Sequence, residues 1–291
     1  MKLVSFLTKN GVSYGSVCVK DDRLVVADFP YWLSGYFPRT INEFLAGESY
    51  FFDLYKKYLP FILLQTPLLL SEVTILPVVP NPPKILCVGL NYADHAKECG
   101  DAVPDTPVIF CKTHNTLLGH NEAIEVPSCT QKADFEAELV VVIGKQGRNI
   151  PESDAMNHVG GYTCGNDVTA RDWQFERPGK QWFLGKSFDT FAPVGPWIMT
   201  KDEIPQPNQL GIRSILNGKT MQQSNTSNFI FSIEKIISYI SQAMTLMPGD
   251  LIFTGTPPGI GYGRNPQVFL SSGDTIEIEI DGIGKLTNTV M

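Results

Sequence analysis

The stretch "DFEAELVVVIG" at residues 134–144 constrains the fold more than any other part of this chain. Strand side chains alternate between faces, so Glu136, Glu138, Val140 and Val142 would share one face and Phe135, Ala137, Leu139, Val141 and Ile143 the other. Both faces look buried, which demands a mainly β structure with material on each side of this strand. Two neighbouring carboxylates entering such a face carry a large desolvation penalty unless they are protonated, paired or bound to a cation. A second Glu-x-Glu, in "TIEIEIDG", provides a control: Glu277, Glu279 and Asp281 share a face with Thr275 while Ile276, Ile278 and Ile280 form the other. That is the polar-out alternation of a half-exposed strand. Glu136 and Glu138 therefore stand either as cation ligands or at a surface strand end.

A third carboxylate bears on the choice. Asp167 lies in "GYTCGNDVTARDW" near the end of another expected strand, with Gly165 before it to allow close approach of a ligand. Oxygen-only ligation suits Mg²⁺, Mn²⁺ or Ca²⁺ better than zinc and leaves positions for water and substrate oxygens. "GLNYADHAKECG" reads as a loop entering a short helix with Asn91 as its N-cap. There His95 and Glu98 are i, i+3 neighbours, either a salt-bridging surface pair or a general base and its orienting carboxylate. His114, His120 and His158 have no comparable partner and are read as structural. In "KQWFLGKSFDTFAP", Lys186 could meet a substrate carboxylate or enolate, and Lys180 accompanies it among aromatic residues. "LIFTGTPPGIGYG" runs from a strand into a Gly- and Thr-rich turn, where backbone N–H groups and the Thr254 and Thr256 hydroxyls could hold a carboxylate. Pro257 and Pro258 interrupt it, so it is no dinucleotide fingerprint, and a GxSxG nucleophile elbow is absent.

The expected organisation is a small N-terminal α/β domain at 1–76, a proline-rich connector at 77–83 and a catalytic body at 84–291. Residues 1–76 open with a hairpin at Asn10-Gly11, followed by a strand in "RLVVADF" and helix around "TINEFLAGESYFFDLYKKYL". The apolar "LPFILLQTPLLL" is too short to span a bilayer and is read as core. "LPVVPNPPK" supplies Pro77, Pro80, Pro82 and Pro83 as a stiff connector. The body is strand-rich, its clearest helix being "SIEKIISYISQAM", where Ile233, Ile236, Ile237, Ile240 and Met244 recur at helical spacing. No βαβ alternation appears, so the fold class is α+β, mainly β. The net charge of -7 gives no basic field for nucleic acid or an anionic membrane. Six cysteines without a CxxC pair fit a reducing compartment. The N-terminus resembles strands rather than a presequence, so a cytoplasmic location is expected, with mitochondria the alternative.

Together, "GLNYADHAKE", "DFEAELVVVIGKQGRNI", "GYTCGNDVTARDWQ", "GKQWFLGKSFDTFAPVGPWIMT", "NGKTMQQSNTSNFIFSIEKIISYIS" and "PGDLIFTGTPPGIG" closely resemble the fumarylacetoacetate hydrolase family over about residues 80–291. The subgroup most similar is the second group of eukaryotic fumarylacetoacetate hydrolase domain-containing proteins. The resemblance implies a mixed β-sandwich roll, a homodimer, and Mg²⁺ or Mn²⁺ held by Glu136, Glu138 and Asp167. It further implies a lid dyad of His95 and Glu98, an active-site lysine at Lys186, and substrate contacts at Gln174, Gly255 and Thr256. The activity so implied is metal-dependent hydrolysis of an acylpyruvate such as fumarylpyruvate, with no organic cofactor. His95 would activate water, and the metal with Lys186 would stabilise the expelled pyruvate enolate. The alternatives are keto–enol tautomerisation or decarboxylation of oxaloacetate in the same site. A relative without turnover that binds a dicarboxylate or a partner protein is a third reading.

Overall fold

The computed structural model describes residues 1–65, 67–99 and 102–291. Its framework is a 12-stranded sheet and a five-stranded sheet. The main path of the larger sheet runs Leu68–Leu69, Arg23–Asp28, Gly11–Lys20, Lys2–Thr8, Ala192–Thr200, Val159–Asn166, Ala137–Ile143, Leu251–Phe253, Ile85–Gly89, Val108–Lys112. The smaller contains Lys219–Asn225, Gly211–Leu216, Thr275–Ile280, Gly284–Val290 and Ala123–Ile124. The strands expected from "DFEAELVVVIG", "GYTCGNDVTARDW", "LIFTGTPPGIGYG" and "TIEIEIDG" are present as Ala137–Ile143, Val159–Asn166, Leu251–Phe253 and Thr275–Ile280; Lys219–Asn225 and Gly284–Val290 are among those that add to them, being too polar to announce themselves.

The strand Ala137–Ile143 is buried along its whole length. Leu139, Val141 and Ile143 pack with Ile276, Ile278 and Ile280 of the smaller sheet and with Ile233, Ile236, Ile237 and Ile240 of the helix Ile233–Ala243. Val140 and Val142 face the other way, into a cluster with Phe253, Phe29, Phe44 and Ile62. N-terminal aromatic residues thus cover one face and the second sheet the other. The control strand behaves as its alternation requires: Ile276, Ile278 and Ile280 are buried, while Glu277 and Glu279 are only half-buried.

The N-terminal strands extend the large sheet, because Lys2–Thr8 pairs antiparallel with Ala192–Thr200. The Gly11 turn has φ +110°, a conformation that suits glycine. The expected helical stretch is two helices, Ile41–Ala46 and Glu48–Leu64, the first fixed by a Thr40/Glu43 capping box.

Two expectations need correction. "LPFILLQTPLLL" is not core: Ile62 is fully buried, whereas Phe61 is 49% and Leu64 82% exposed. The helix Glu48–Leu64 takes only residues 59–64 of this run, where apolar side chains point in all directions and one side alone meets the protein, while Leu68–Leu69 forms an edge strand of the large sheet. Gly165 makes room for protein rather than ligand, since a Cβ there would lie 2.4 Å from Val140 Cγ2 and 2.6 Å from Phe253 Cε1. Ile62→Ala should therefore cost about 2–4 kcal/mol in denaturant unfolding. Leu64→Ser should stay within about 0.5 kcal/mol of the parent in the same measurement.

Candidate active site

Antiparallel pairing of Ala137–Ile143 with Val159–Asn166 sets Glu138 opposite Gly165 and Ala137 opposite Asn166. Asp167 follows directly, its N–H donating to the Glu136 carbonyl at 3.0 Å. On the other side Leu251–Phe253 pairs antiparallel with Val140–Val142, which brings the following turn to Glu138. One ligand atom from each of Glu136, Glu138 and Asp167 lies within 4.8 Å of the other two, and all three residues are buried.

Burial makes this cluster an electrostatic problem, and three buried cations answer most of it. Lys186 Nζ donates to Glu136 Oε2 at 3.0 Å, Asp167 Oδ2 at 2.7 Å and Thr169 Oγ1 at 2.8 Å. Lys112 Nζ meets Asp167 Oδ1 at 2.5 Å and the Val168 carbonyl at 3.1 Å. Arg171 spans Asp134 Oδ2 at 2.9 Å, Glu136 Oε1 at 2.6 Å and Gln174 Oε1 at 2.9 Å. Burial alone would raise the Glu136 carboxyl, but Lys186 and Arg171 outweigh it and hold it at about 2. Lys186 and Arg171 stay firmly protonated for the reciprocal reason: burial opposes their charge, and the surrounding carboxylates overcome it. In Lys112 burial prevails over Asp167, and the ammonium pKa is lowered.

Glu138 stands apart. Among the described residues it forms no ion pair, and the Gly255 N–H donates to its Oε2 at 2.7 Å. Burial, then the charges of Asp167 and Glu136, push its carboxyl well above the ordinary range. A divalent cation fits this donor set: three converging carboxylates offer hard oxygen atoms, and the least compensated of them, Glu138, has no ion-pair partner among the described residues.

The turn after Leu251–Phe253 does hold carboxylates, and they belong to the protein. Gly255 N–H serves Glu138, Gly259 N–H meets Glu98 Oε1 at 2.9 Å, and Gly261 and Tyr262 N–H meet Asp134 at 2.7 and 2.9 Å. Gly255 and Gly259 adopt φ +99° and +104°, which glycine permits. The Thr256 hydroxyl lines the cavity, donates to the Ala137 carbonyl at 2.9 Å and accepts from Gln222 Nε2 at 2.7 Å. Thr254 Oγ1 donates to the Leu139 carbonyl.

His95 and Glu98 sit on the helix Ala93–Cys99 with His95 Nδ1 and Glu98 Oε2 3.3 Å apart. His95 joins Glu136, Glu138, Asp167, Gln174 and Lys186 around one cavity, closed on its apolar side by Val88, Leu90, Phe110, Phe175 and Trp182. Asn91 does not act as the helix cap expected of it. Its side chain instead takes the Phe231 N–H and donates to the Phe231 and Thr254 carbonyls, tying the loop down. Lys180 is exposed. Sequence reasoning missed Lys112, Arg171, Asp134 and Gln222. Buried carboxylates demand counter-charges, so a search for cations at strand ends would have raised Lys112, the last residue of Val108–Lys112.

Residues 84–291 match the family model described as Fumarylacetoacetate (FAA) hydrolase C-terminal, and the chain belongs to the fumarylacetoacetate hydrolase family. A Xenopus laevis relative, "Oxaloacetate tautomerase fahd2, mitochondrial", is 49% identical over 221 residues, covering 76% of this chain and 69% of its own. The Bos taurus protein "Oxaloacetate tautomerase FAHD2A, mitochondrial" is 47% identical over 255 residues, covering 87% and 80%. Among solved structures, maleylpyruvate hydrolase from Sphingobium sp. SYK-6 superposes with a TM-score of 0.81 at 28% identity, over 100% of this chain and 99% of that one.

Glu138→Gln removes the carboxylate that has least compensation. It is expected to leave the metal-free protein at least as stable as the parent in denaturant unfolding. Calorimetric Mn²⁺ affinity should fall by at least about tenfold, the lower end of what even supporting residues contribute to a metal site.

Proposed function

We propose that this protein is an oxaloacetate keto–enol tautomerase dependent on a divalent cation, Mg²⁺ or Mn²⁺, held by Glu136, Glu138 and Asp167. The observation that carries the reading is the 47–49% identity to relatives named for that activity, against 28% to the structure named as a maleylpyruvate hydrolase. Acylpyruvate hydrolysis, expected first from the motifs, becomes the second reading. The mitochondrial designation of both relatives favours that compartment over the cytoplasm for this chain.

When bound, the cation would polarise the 2-oxo group and favour the enolate. The protein's own groups carry the proton. His95, oriented by Glu98, takes a proton from C3; the C–H electron pair forms the C2–C3 double bond, and the carbonyl π electrons move to the C2 oxygen. The Lys186 ammonium, lodged between Glu136 and Asp167, places positive charge beside that developing oxyanion. Protonation of the oxygen gives the enol, and the reverse sequence regenerates the ketone. No C–C or C–O σ bond is broken, so no water is consumed. Hydrolysis would use the same enolate site but requires a water delivered to the distal carbonyl.

The test follows enol absorbance and carbon dioxide release from oxaloacetate, with acetylpyruvate and fumarylpyruvate alongside, each with Mn²⁺ and with chelator. Faster keto–enol exchange, lost on chelation, with both acylpyruvates intact is the expected result. Cleavage of an acylpyruvate without effect on oxaloacetate exchange would establish the second reading instead. His95→Asn is expected to lower the exchange rate by about 10²–10⁴-fold, the range of a positioned general base. Its far-ultraviolet circular dichroism should match the parent.

A further inference from the structure

Every carboxylate of the acidic triad is engaged by protein donors, Glu136 and Asp167 through both oxygens and Glu138 through one among the hydrogen bonds described. Arg171 Nη2 holds Glu136 Oε1 at 2.6 Å, Gly255 N–H holds Glu138 Oε2 at 2.7 Å, and Lys112 Nζ holds Asp167 Oδ1 at 2.5 Å. Lys112 is the most informative of these donors. It is 4% exposed, and its Nζ bonds only to Asp167 and the Val168 carbonyl among the hydrogen bonds described, whereas Arg171 and Lys186 line the cavity. Asp167, through Oδ1, is therefore the one carboxylate it meets among the described residues. Asp167 Oδ2 is the oxygen that Lys186 shares with Glu136 Oε2, so it faces the rest of the triad.

The two classes of hard cation ask different things of such a carboxylate. Ca²⁺ takes six to eight oxygen atoms in flexible geometry and readily uses both oxygens of one carboxylate. Mg²⁺, by contrast, demands near-octahedral geometry and keeps several waters, taking single oxygens. Lys186 meets Asp167 Oδ2 as well, but it lines the cavity and is shared with Glu136 and Thr169, whereas Lys112 meets no other carboxylate among the described residues. Bidentate use of Asp167 would set a dication against both ammonium groups at once, and like-charge repulsion in a buried site opposes it.

We propose that Lys112 is a positioning residue that makes the acidic site discriminate between divalent ions: by holding Asp167 Oδ1 it confines Asp167 to a single ligand oxygen, favouring Mg²⁺ or Mn²⁺ over Ca²⁺. This rests on the cation site of the preceding section and adds to it a residue that touches neither cation nor substrate.

The test is calorimetric titration of the metal-stripped parent and of Lys112→Met with Mn²⁺ and with Ca²⁺ separately. The parent should prefer Mn²⁺, and Lys112→Met should narrow the ratio of the two affinities by about tenfold or more, the scale of an outer-shell partner. A merely structural lysine would weaken both ions alike and leave the ratio unchanged. Mn²⁺ binding to the parent with an unchanged ratio in folded Lys112→Met overturns this inference alone. Absence of Mn²⁺ binding to the parent overturns the cation site and this inference with it. Crystals of the parent soaked separately in Mn²⁺ and in Ca²⁺ need no variant to fold. Asp167 ligating through one oxygen, with Lys112 on the other, is expected, and bidentate Asp167 with Lys112 displaced would refute the inference.

Discussion

Four carboxylates, Asp134, Glu136, Glu138 and Asp167, are buried beside three buried cations, Lys112, Arg171 and Lys186. Much of the local structure follows from that imbalance. Moving a charge out of water costs several kcal/mol even after relaxation, so each carboxylate needs a partner and each partner needs an element to deliver it. Arg171 arrives just after the short strand Thr169–Ala170, which pairs with Ala133–Asp134. Lys112 closes the strand Val108–Lys112, and Lys186 follows the single helical turn Trp182–Gly185. The site is assembled from the ends of elements because those are where chain direction can be set without interrupting a ladder. Glu138 is left over, and its raised pKa marks where further positive charge would be most favourable.

The glycine-rich turn shows a second use of the same constraint. Gly255, Gly259, Gly261 and Tyr262 give backbone N–H groups to Glu138, Glu98 and Asp134. One segment thereby registers a triad carboxylate, the Glu98 carboxylate and the anchor of Arg171 relative to one another. A Cβ at Gly261 would lie 1.7 Å from the Val268 carbonyl oxygen, so the approach is open only to glycine. The position of the helix Ala93–Cys99 is thus coupled through backbone to the acidic site as well as through His95.

How legible this was depended on whether a residue's role was local or long-range. The acidic pair could be told from its control at Glu277 and Glu279 because the faces of a strand are written in period two, and the strand patterns of the body were readable for the same reason. Lys112 and Arg171 carry no such mark. A single lysine at a strand end looks solvated until the fold brings Asp167, 55 residues away, onto its Nζ. Asn91 went astray for the opposite reason. Its local capping potential was outcompeted by partners 140 and 163 residues distant. "LPFILLQTPLLL" misled because composition without periodicity says that a segment is apolar but not which of its sides is covered.

The same reasoning explains why related folds carry names for both isomerisation and hydrolysis. On the function proposed here the enolate would be stabilised by the triad, set by the central strand and its neighbour Val159–Asn166, and by Lys186, delivered by the turn Trp182–Gly185; neither can shift without exposing an uncompensated charge. His95 is different. It stands on a short helix held by Glu98 against Gly259, so its placement answers to a surface turn rather than to the sheet. On the proposed function, that helix and the apolar wall of Phe110, Phe175 and Trp182 would decide whether His95 reaches C3 of a 2-oxo acid or a water beyond it. A change of reaction then requires moving the base and reshaping the wall, while the charged floor is retained because its desolvation cost allows few other arrangements.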